Sequence, residues 1–452
     1  MRPAEKKEFM ANLTFLERFN GDLSSWTLDT TGGAVSIVTQ DYSTKLKLDD
    51  TSGSGIVSAL RTFTEPSGKW ILEYDIKHAV SSVGILELLD ASNNPIVTVD
   101  LGTTAATLSF STDTVAASTA AFAAAVYKQV ILVVDNSAHT VKCYISEDDA
   151  TYGSLAQVGG SKSYSGAAIA KLKFKTGVST TGIVYIDEVK IYTPDLFVIG
   201  DSITDGKPYW STHPEYPAGR LAAQEDETSP PQWHLAGYLG STSTVWVAGR
   251  GFGGSKTADV DTYIQTSVID HGAQRVLVAI GHNDLANAVS LSTMQTNMNS
   301  IITKLQNAGI TGVNIFLCNV FPGSDLNTAV ERSMKWAWNT WLRYKAADIG
   351  ATFIDLDKAL KSSADENAIN TAYKDGDGVH LISAGSQAFA KAVNEALRVQ
   401  AYNGINVVRG AYGASDERLF PQGDYVAPPS AGGRAAFSLL INGFNLSYYG
   451  LR

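Results

Sequence analysis

The stretch LFVIGDSITDG, residues 196–206, lies near the middle of a chain of 452 residues. Its first four residues are apolar, and they run directly into Gly200, Asp201 and Ser202. A short apolar run that ends in turn-forming residues predicts a buried strand followed by a turn. Such a turn can simply reverse the chain, or it can hold the Ser202 hydroxyl at the end of the strand for chemistry. The sequence on either side decides between the two.

Short apolar strands alternate with helical segments after Pro194. The predicted strands are DLFVIG, TVWVAG, RVLVAIG, VNIFLCNV and ATFIDLD. The predicted helices carry apolar residues at i, i+3, i+4 and i+7 and lie within 291–309, 327–350 and 383–400. This alternation predicts a parallel sheet with helices on both faces. Ligands bind at the carboxyl ends of the strands in such sheets, which is where Ser202 would lie.

Residues 12–193 have a different pattern, in which short runs alternate apolar and polar side chains. Examples are KWILEYDIKHA, PIVTVDLG, KQVILVVDN and TVKCYIS, separated by clusters of Ser, Gly, Thr, Asn and Asp. This pattern predicts an antiparallel β-sandwich. The opening FLERFNGDLSSWTL and the closing GIVYIDEVKIYTP resemble laminin-G or concanavalin-like sandwiches, which are often attached to carbohydrate-active enzymes. That resemblance implies a lectin-like domain able to bind carbohydrate.

The two ends of the chain differ from both regions. Residues 1–11 contain charges but no apolar core, so we expect no secretory signal there. Glu8-Phe9 before Met10 is typical of a leader left by cloning, with a native start at Met10. Residues 401–452 end in two strand-like runs around Asn442-Gly443, a hairpin signal. Because an isolated hairpin is marginally stable, we expect this extension to pack on another domain or on a second subunit. The catalytic domain is therefore expected within 194–400.

Composition excludes several classes of function. The chain is 44% hydrophobic and 18% charged, with a net charge of −10, which argues against nucleic acid or an anionic membrane as partner. It contains no run of 18 apolar residues that could span a membrane. Its two cysteines, Cys143 and Cys318, lie in different strand-like runs and are expected to be buried free thiols. The native compartment stays open, and action outside the cell is compatible with this composition.

The stretch VWVAGRGFGGSKT, residues 245–257, brings a second motif directly after a strand. Gly249, Gly251 and Gly254 have the spacing G-x-G-x-x-G, so a dinucleotide site competes here. No acidic residue closes the following strand, and Ser255 separates Gly254 from Lys256 where a P-loop needs Gly-Lys. Both nucleotide readings are therefore disfavoured. What remains is a glycine at a helix start, whose N–H can bind a negative oxygen.

Two further motifs add donors and a base. In VLVAIGHNDLA, Asn283 follows a strand, and its side-chain amide is a neutral donor suited to an oxyanion. In DGDGVHLISAGSQAFA, Asp377 and His380 lie three residues apart before a helix that begins near Ser383. A carboxylate at that spacing can hold the imidazole in the tautomer that accepts a serine proton.

These four motifs, in this order, resemble the SGNH hydrolases, also called the GDSL esterase/lipase superfamily, over residues 195–400. The resemblance implies a flavodoxin-like, three-layer α/β/α fold and a Ser–His–Asp ester hydrolase. No motif in the chain requires a metal, and we expect no cofactor. The resemblance implies Ser202 as nucleophile, His380 as base and Asp377 as the partner of that base. It also implies an oxyanion hole made by the N–H groups of Ser202 and Gly254 and by the Asn283 amide.

The chain departs from the family pattern at two positions. Gly249 stands where the family has an asparagine that braces the loop. His282 stands at a variable position, and we do not expect it to be the base, because no orienting carboxylate lies nearby except Asp284, whose family role is structural.

Aromatic residues bear on the substrate. The insertion from Lys207 to Trp233 follows the nucleophile, and its aromatic side chains could stack on sugar rings or could equally pack the insertion itself; they are Tyr209, Trp210, Tyr216 and Trp233. In KWAWNTW, Trp336, Trp338 and Trp341 lie on one predicted helix, and we expect part of this cluster in the core.

The expected activity is hydrolysis of short-chain esters, acetyl above all, on a small molecule or a polysaccharide. Superfamily esterases with such appended domains commonly deacetylate polysaccharides, and the sandwich would hold a glycan near the site. No long apolar lid is visible, which disfavours a long-chain lipase. The alternative is a structural or attachment protein of a larger, phage-like assembly that carries an esterase domain. The sandwich and the C-terminal extension would then form contacts within a homo-oligomer.

Overall fold

The computed structural model of the chain describes most of the two predicted domains and a hairpin near the C-terminus. The described residues are 13–17, 19, 21–40, 43–78, 84–101, 106–110, 113–115, 128–146, 155–164, 166–177, 181–193, 195–205, 247–401, 436–441 and 444–449. The predicted leader lies outside these residues, and so does the insertion from Lys207 to Trp233.

The N-terminal region is entirely β in its described residues. Its strands, in chain order, are β1 (Leu13–Glu17), β2 (Thr27–Asp29), β3 (Gly33–Gln40), β4 (Ser43–Asp50), β5 (Ser58–Thr62), β6 (Lys69–His78), β7 (Gly84–Leu89), β8 (Pro95–Leu101), β9 (Ala106–Phe110), β10 (Asp113–Val115), β11 (Lys128–Asp135), β12 (Thr140–Ser146), β13 (Leu155–Ser163), β14 (Lys171–Thr176) and β15 (Gly182–Tyr192). All pairings among them are antiparallel, as the alternating pattern predicts.

These strands form two sheets of a sandwich. Eight strands form one sheet in the order β13-β12-β11-β6-β15-β4-β3, with β1 also paired to β15. Seven form the other, in the order β10-β9-β8-β7-β14-β5-β2. Their facing side chains make one apolar core that includes Leu48, Trp70, Leu132 and Phe174. The prediction of an antiparallel β region before the α/β domain is confirmed.

The eight-stranded sheet is buried on its outer face as well. Along β6 and β11, residues that alternate with the sandwich core, such as Ile71 and Ile131, join a second apolar cluster with Phe197 and Val260 of the following domain. This double burial explains why VILVV in β11 is continuously apolar, since a strand covered on both faces has no solvent side. The sandwich and the α/β domain therefore share a packed interface.

The second domain is built on a parallel sheet. Its strands are β16 (Leu196–Gly200), β17 (Val247–Gly251), β18 (Arg275–Ala279), β19 (Ile315–Cys318) and β20 (Thr352–Ile354). They lie in the order β17-β16-β18-β19-β20, and every described pairing is parallel. This is the flavodoxin-like order, whose switch point lies next to the first strand. The sequence prediction of this fold is confirmed.

Helices cover both faces of that sheet. They are α1 (Ser202–Asp205), α2 (Thr257–Ile264), α3 (His282–Ala286), α4 (Leu291–Asn307), α5 (Ala329–Asp348), α6 (Leu356–Leu360) and α7 (Ser383–Ala401). Ser290 caps α4, and Thr328 with Glu331 forms a capping box on α5, so local polar side chains set where these helices begin. One π-helical turn, Gln265–Ile269, continues α2.

The remaining features agree with the sequence. Cys143 and Cys318 are buried free thiols. Strands β21 (Ala436–Ile441) and β22 (Phe444–Tyr449) pair antiparallel around Asn442-Gly443, which confirms the predicted hairpin. Among the described helices, none is long and apolar enough to cross a membrane.

Candidate active site

Ser202 lies where the first parallel strand turns into a helix. Strand β16 ends at Gly200, and α1 begins at Ser202, whose side chain is largely buried. A Cβ on Gly200 would lie 2.3 Å from the Ala279 carbonyl oxygen of the next strand, so this tight turn excludes larger residues. Burial raises the pKa of the Asp201 carboxyl, an effect that the nearby imidazoles of His282 and His380 oppose.

The structure brings Ser202, His380 and Asp377 together in one hydrogen-bonded chain. His380 Nε2 lies 2.9 Å from Ser202 Oγ, across 178 residues of sequence. His380 Nδ1 lies 2.5 Å from Asp377 Oδ2. The second carboxylate oxygen, Asp377 Oδ1, accepts from the backbone N–H groups of Val379 and His380 at 2.8 and 3.0 Å. Both oxygens of the carboxylate are therefore used, and the imidazole is aligned on the serine.

The electrostatics keep Asp377 ionised. Its partial burial favours the neutral acid, but the hydrogen bonds from the His380 side chain and from two backbone N–H groups outweigh that effect. The pKa of Asp377 is consequently below its usual value. An ionised carboxylate can only accept, so His380 Nδ1 carries the proton and Nε2 is left to accept the hydrogen of Ser202.

Gly254 lies in a turn, not at the helix start that its motif suggested. The Ser255 N–H donates to the Phe252 carbonyl at 3.2 Å, and Gly254 has a φ of +75° inside this turn. Helix α2 begins only at Thr257, after the N-cap Lys256. The φ of Gly254 favours glycine. Apart from its two chain neighbours, none of the described residues has a heavy atom within 4 Å of a Cβ built on Gly254.

Asn283 lies directly after strand β18, in the first turn of α3. Its side-chain Nδ2 donates to the Ser255 carbonyl at 3.0 Å, beside Gly254, which leaves a second hydrogen on the same nitrogen. Asp284 is buried and accepts from the N–H and hydroxyl of Thr257 at 2.9 and 2.7 Å. The two loops that carry the predicted oxyanion donors are thus tied together by Asn283 and Asp284.

The expectation that His282 has no orienting carboxylate apart from Asp284 is wrong. His282 Nε2 lies 2.9 and 3.1 Å from the two carboxylate oxygens of Asp325. Asp325 follows β19, 43 residues further along the chain, so spacing around His282 could not reveal it. Burial acts to raise the pKa of Asp325, but the hydrogen bond and charge of His282 prevail and hold it below its usual value.

The sequence also singled out two groups of aromatic residues. Within helix α5, Trp338 is fully buried and stacks on Trp341 with ring centroids 5.2 Å apart, whereas Trp336 is 70% exposed. Part of this cluster is therefore core, as expected. The four aromatic residues proposed for sugar stacking, Tyr209, Trp210, Tyr216 and Trp233, lie outside the described residues. Within the described part of the chain, no group of three or more His, Cys, Asp or Glu side chains could hold a metal ion.

Sequence reasoning missed the loop after β19, residues 319–328. Its Ser324 hydroxyl donates to the Asp377 carbonyl at 2.7 Å, and its Asp325 accepts from His282. A signal existed, because Pro-Gly-Ser-Asp follows a predicted strand and the carboxyl ends of parallel strands meet at one edge.

Comparison with known proteins places the second domain in a family. Residues 198–388 match the model of the GDSL-like Lipase/Acylhydrolase family. No curated protein matches the chain.

Solved structures similar to the chain cover a little under half of it. They include a putative lipolytic protein of the G-D-S-L family from Desulfitobacterium hafniense DCB-2, 17% identical with a TM-score of 0.36, covering 45% of this chain and 99% of that one. A putative acylhydrolase from Bacteroides fragilis NCTC 9343 is 20% identical with a TM-score of 0.33, covering 45% and 86%. An acetylxylan esterase from Geobacillus stearothermophilus is 18% identical with a TM-score of 0.36, covering 45% and 94%. On the family match, residues 198–388 form a GDSL-like lipase/acylhydrolase domain, preceded by an antiparallel β region.

Proposed function

We propose that the protein is a serine esterase that hydrolyses short-chain esters, acetyl above all, with a polysaccharide as the substrate. The observation that carries this proposal is the row of hydrogen bonds from Ser202 Oγ through the His380 imidazole to Asp377, with contacts of 2.9 and 2.5 Å. A serine hydroxyl becomes a strong nucleophile only when a base removes its proton, and His380 is that base.

In the first half of the reaction, Ser202 Oγ attacks the carbonyl carbon of the ester. His380 Nε2 takes the hydroxyl proton, and Asp377 stabilises the imidazolium that results. The carbonyl oxygen becomes an oxyanion, for which we propose three donors: the N–H groups of Ser202 and Gly254, and the second Nδ2 hydrogen of Asn283. His380 then returns the proton to the departing alcohol oxygen as the C–O bond breaks, and an acyl-serine remains.

In the second half, water replaces the alcohol. His380 Nε2 takes one proton from the water as its oxygen attacks the acyl carbon. The same donors hold the second oxyanion. The bond to Ser202 Oγ then breaks, the proton on His380 passes to Oγ, and the carboxylic acid leaves. The space beside Gly254 that no described side chain fills suits a small acyl group at this point.

We propose that the chain divides into a sandwich (12–193), a catalytic domain (194–400) and an extension (401–452).

The sandwich would contact the alcohol part of the substrate, which is the glycan. Of the large hydrophobic side chains described in the sandwich, Leu28 alone is exposed. Along β14 the outward side chains are lysines, at Lys171, Lys173 and Lys175. Glycan contact through the described faces would therefore be made by polar groups.

Hydrolysis of aryl esters from acetate to octanoate tests this proposal, with wild type and Ser202→Ala side by side. We expect acetate to be cleaved fastest and the variant to be inactive. Acetate release from acetylated xylan, compared with an acetylated monosaccharide, then tests the polysaccharide. Wild type inactive on every ester would overturn the proposal and leave the assembly alternative, which a defined trimer or larger ring in solution would favour.

A further inference from the structure

The loop after β19 contacts both halves of the proposed machinery. On one side, the Ser324 N–H donates to the Gly378 carbonyl at 3.1 Å, and its hydroxyl donates to the Asp377 carbonyl at 2.7 Å. On the other side, the next residue, Asp325, accepts from His282 Nε2 at 2.9 Å. His282 directly precedes Asn283 in α3. Two adjacent residues thus connect the acid–base loop to the loop of the oxyanion donor.

These contacts are closely packed. A Cβ on Gly323 would lie 2.6 Å from Asp325 Oδ1 and 2.7 Å from His282 Cε1. A Cβ on Gly378, which has a φ of +74°, would lie 2.8 Å from the Ser324 side chain. Real Cβ atoms do not approach other atoms so closely, so the loop can make both contacts only with glycine at these two positions.

The base of the loop is held by side chains from two helices and a strand end. Asn339 of α5 accepts from the Val320 N–H at 3.0 Å and donates to the Val320 carbonyl at 2.7 Å. The Asn319 amide donates to Asp355 at 2.7 Å and accepts from the Asp357 N–H at 2.9 Å. Because its first residues are fixed in this way, the loop holds its contact with His282 and its contact with the Asp377 loop at a set distance from each other.

His282 depends on Asp325 for its orientation. The imidazole is 5% exposed, and Phe321 packs against it with ring centroids 6.2 Å apart. Its other nitrogen, Nδ1, is buried and has no hydrogen-bond partner among the described residues. Asp325 is therefore the hydrogen-bond partner that the described residues give to this ring. We expect that loss of this contact lets the ring turn and lets the first turn of α3, which carries Asn283, shift with it.

We propose that His282, Ser324 and Asp325 are positioning residues that together form a brace, which sets the Asn283 amide relative to the Asp377–His380 pair. This inference rests on the proposed esterase function. The brace touches no reacting atom, and its effect is on the geometry of the transition state. Misplacement of catalytic groups by about 1 Å can slow a reaction by about a hundredfold. Loss of the brace therefore lowers kcat and leaves substrate binding nearly unchanged.

The test measures kcat and KM separately on an aryl acetate, together with the thermal midpoint. Asp325→Ala, which removes the acceptor of the His282 hydrogen bond, should lower kcat by about tenfold to a hundredfold, with KM within about twofold of wild type. The matched control is Asp195→Ala, which removes an Asp195–Arg275 ion pair of 2.9 Å at the amino ends of β16 and β18, away from the site. It should keep wild-type kcat. Equal kcat in Asp325→Ala and wild type, or an equal loss in both variants, overturns the brace.

A double-mutant cycle separates the two arms of the brace. If Asp325 acts through Asn283, Asp325→Ala should have less than about a threefold effect in an Asn283→Ala background. Ser324→Ala acts through the Asp377 loop, and its effect should persist in that background. His282→Gln, whose amide can still donate to Asp325, should keep more activity than His282→Ala. Full additivity of Asp325→Ala with Asn283→Ala contradicts the proposed route.

A second measurement distinguishes a failure of the brace from a failure of the proposed esterase function. An alkyl fluorophosphonate forms a P–O bond with an activated serine and loses fluoride, while the base takes the serine proton. Intact mass then reports labelling at Ser202 without any choice of ester. No labelling and no hydrolysis in wild type overturns the function itself. Labelling of wild type, with Asp325→Ala labelled at least about tenfold more slowly, supports the brace; equal rates overturn the brace and leave the proposed function standing.

Discussion

Arg250 of the parallel sheet donates to Glu73 of the sandwich, with Nη2 and Oε2 3.3 Å apart and both side chains 7% exposed. The same carboxylate oxygen accepts from the Tyr192 hydroxyl at 2.9 Å. Arg250 also donates to the carbonyl groups of Gly249 and Ser267. This buried pair crosses the boundary between the domains, at the strand that leads into the turn of Gly254.

Glu73→Gln should destabilise the whole protein, because it leaves a buried guanidinium without its counter-charge. Removal of one member of a buried pair costs about 3 to 5 kcal/mol. Urea unfolding should show a decrease of this size in the free energy of unfolding, with both domains unfolding in one transition. The control is Asp348→Asn, which removes an exposed i,i+3 pair with Lys345 and should leave the midpoint unchanged. An unchanged midpoint for Glu73→Gln would mean that the interface does not depend on this pair.

Asn283→Ala should slow turnover by at least about a hundredfold, since one oxyanion donor contributes about 2.7 to 4 kcal/mol to transition-state stabilisation. The variant also loses the bond from Nδ2 to the Ser255 carbonyl, so the Gly254 turn loses one of its fixed contacts. Steady-state kinetics on an aryl acetate measures the effect. Asn299→Ala, on the exposed side of α4, serves as the control and should match wild type. A loss below about threefold would remove Asn283 from the proposed donors.

Asp377 should contribute to stability in a pH-dependent way. Its pKa in the folded protein is below the ordinary aspartate value, so the ionised form stabilises the fold. That contribution is fully present above about pH 3.9 and is lost as the pH falls through the lower folded value. The difference in unfolding free energy between wild type and Asp377→Asn should therefore shrink below about pH 3.9. A difference that stays constant down to the lowest measurable pH would contradict this assignment.

The same substitution should nearly abolish turnover. In a Ser–His–Asp triad, an asparagine at this position lowers kcat by about ten-thousandfold, because it stabilises the wrong tautomer of the imidazole. Kinetics at neutral pH measures this loss. Asp375→Asn, two residues earlier in the same loop, is the matched control and should retain most activity.

Two glycines of the site should respond differently to alanine. At Gly254 φ is +75°, and no described residue beyond its chain neighbours lies within 4 Å of a Cβ. The cost of alanine there is conformational, and we expect the free energy of unfolding to fall by about 1 to 2 kcal/mol. At Gly281 φ is +122°, and a Cβ would lie 2.8 Å from Nε1 of the fully buried Trp338. The backbone strain and the overpacking then add, and we expect the free energy of unfolding of Gly281→Ala to fall by at least about 3 kcal/mol. Thermal unfolding ranks the two, and the reverse order would contradict the steric argument.

Much of the α/β domain could be predicted because its signals are local. Four of the five parallel strands are mostly apolar runs, the exception being β17 with its sequence VAGRG. Ser290, Thr328 and Glu331 mark helix starts within one turn of the chain. The Asp377–His380 spacing is equally local. The short helices α1 and α3 could not be predicted in this way, since neither is long enough to have a hydrophobic period.

The sandwich was predicted as a sandwich but not as a partner of the second domain. The run VILVV in β11 was assigned to an alternating strand, yet it is buried on both faces because Ile131 and Val133 pack against the α/β domain. A continuous apolar run is ambiguous in sequence, since it fits a doubly covered strand and a buried helix alike.

The sequence by itself determined the two kinds of sheet, the strand ends that carry Ser202 and Asn283, and the local loop of Asp377 and His380. Each of these depends on residues within a few positions of one another, through side-chain periodicity, turn chemistry and caps. Only the tertiary structure decided that Asp325 faces His282 and that Glu73 pairs with Arg250. Those partners are 43 and 177 residues apart. Contacts at such separations arise from how the layers pack, which no local pattern of residues encodes.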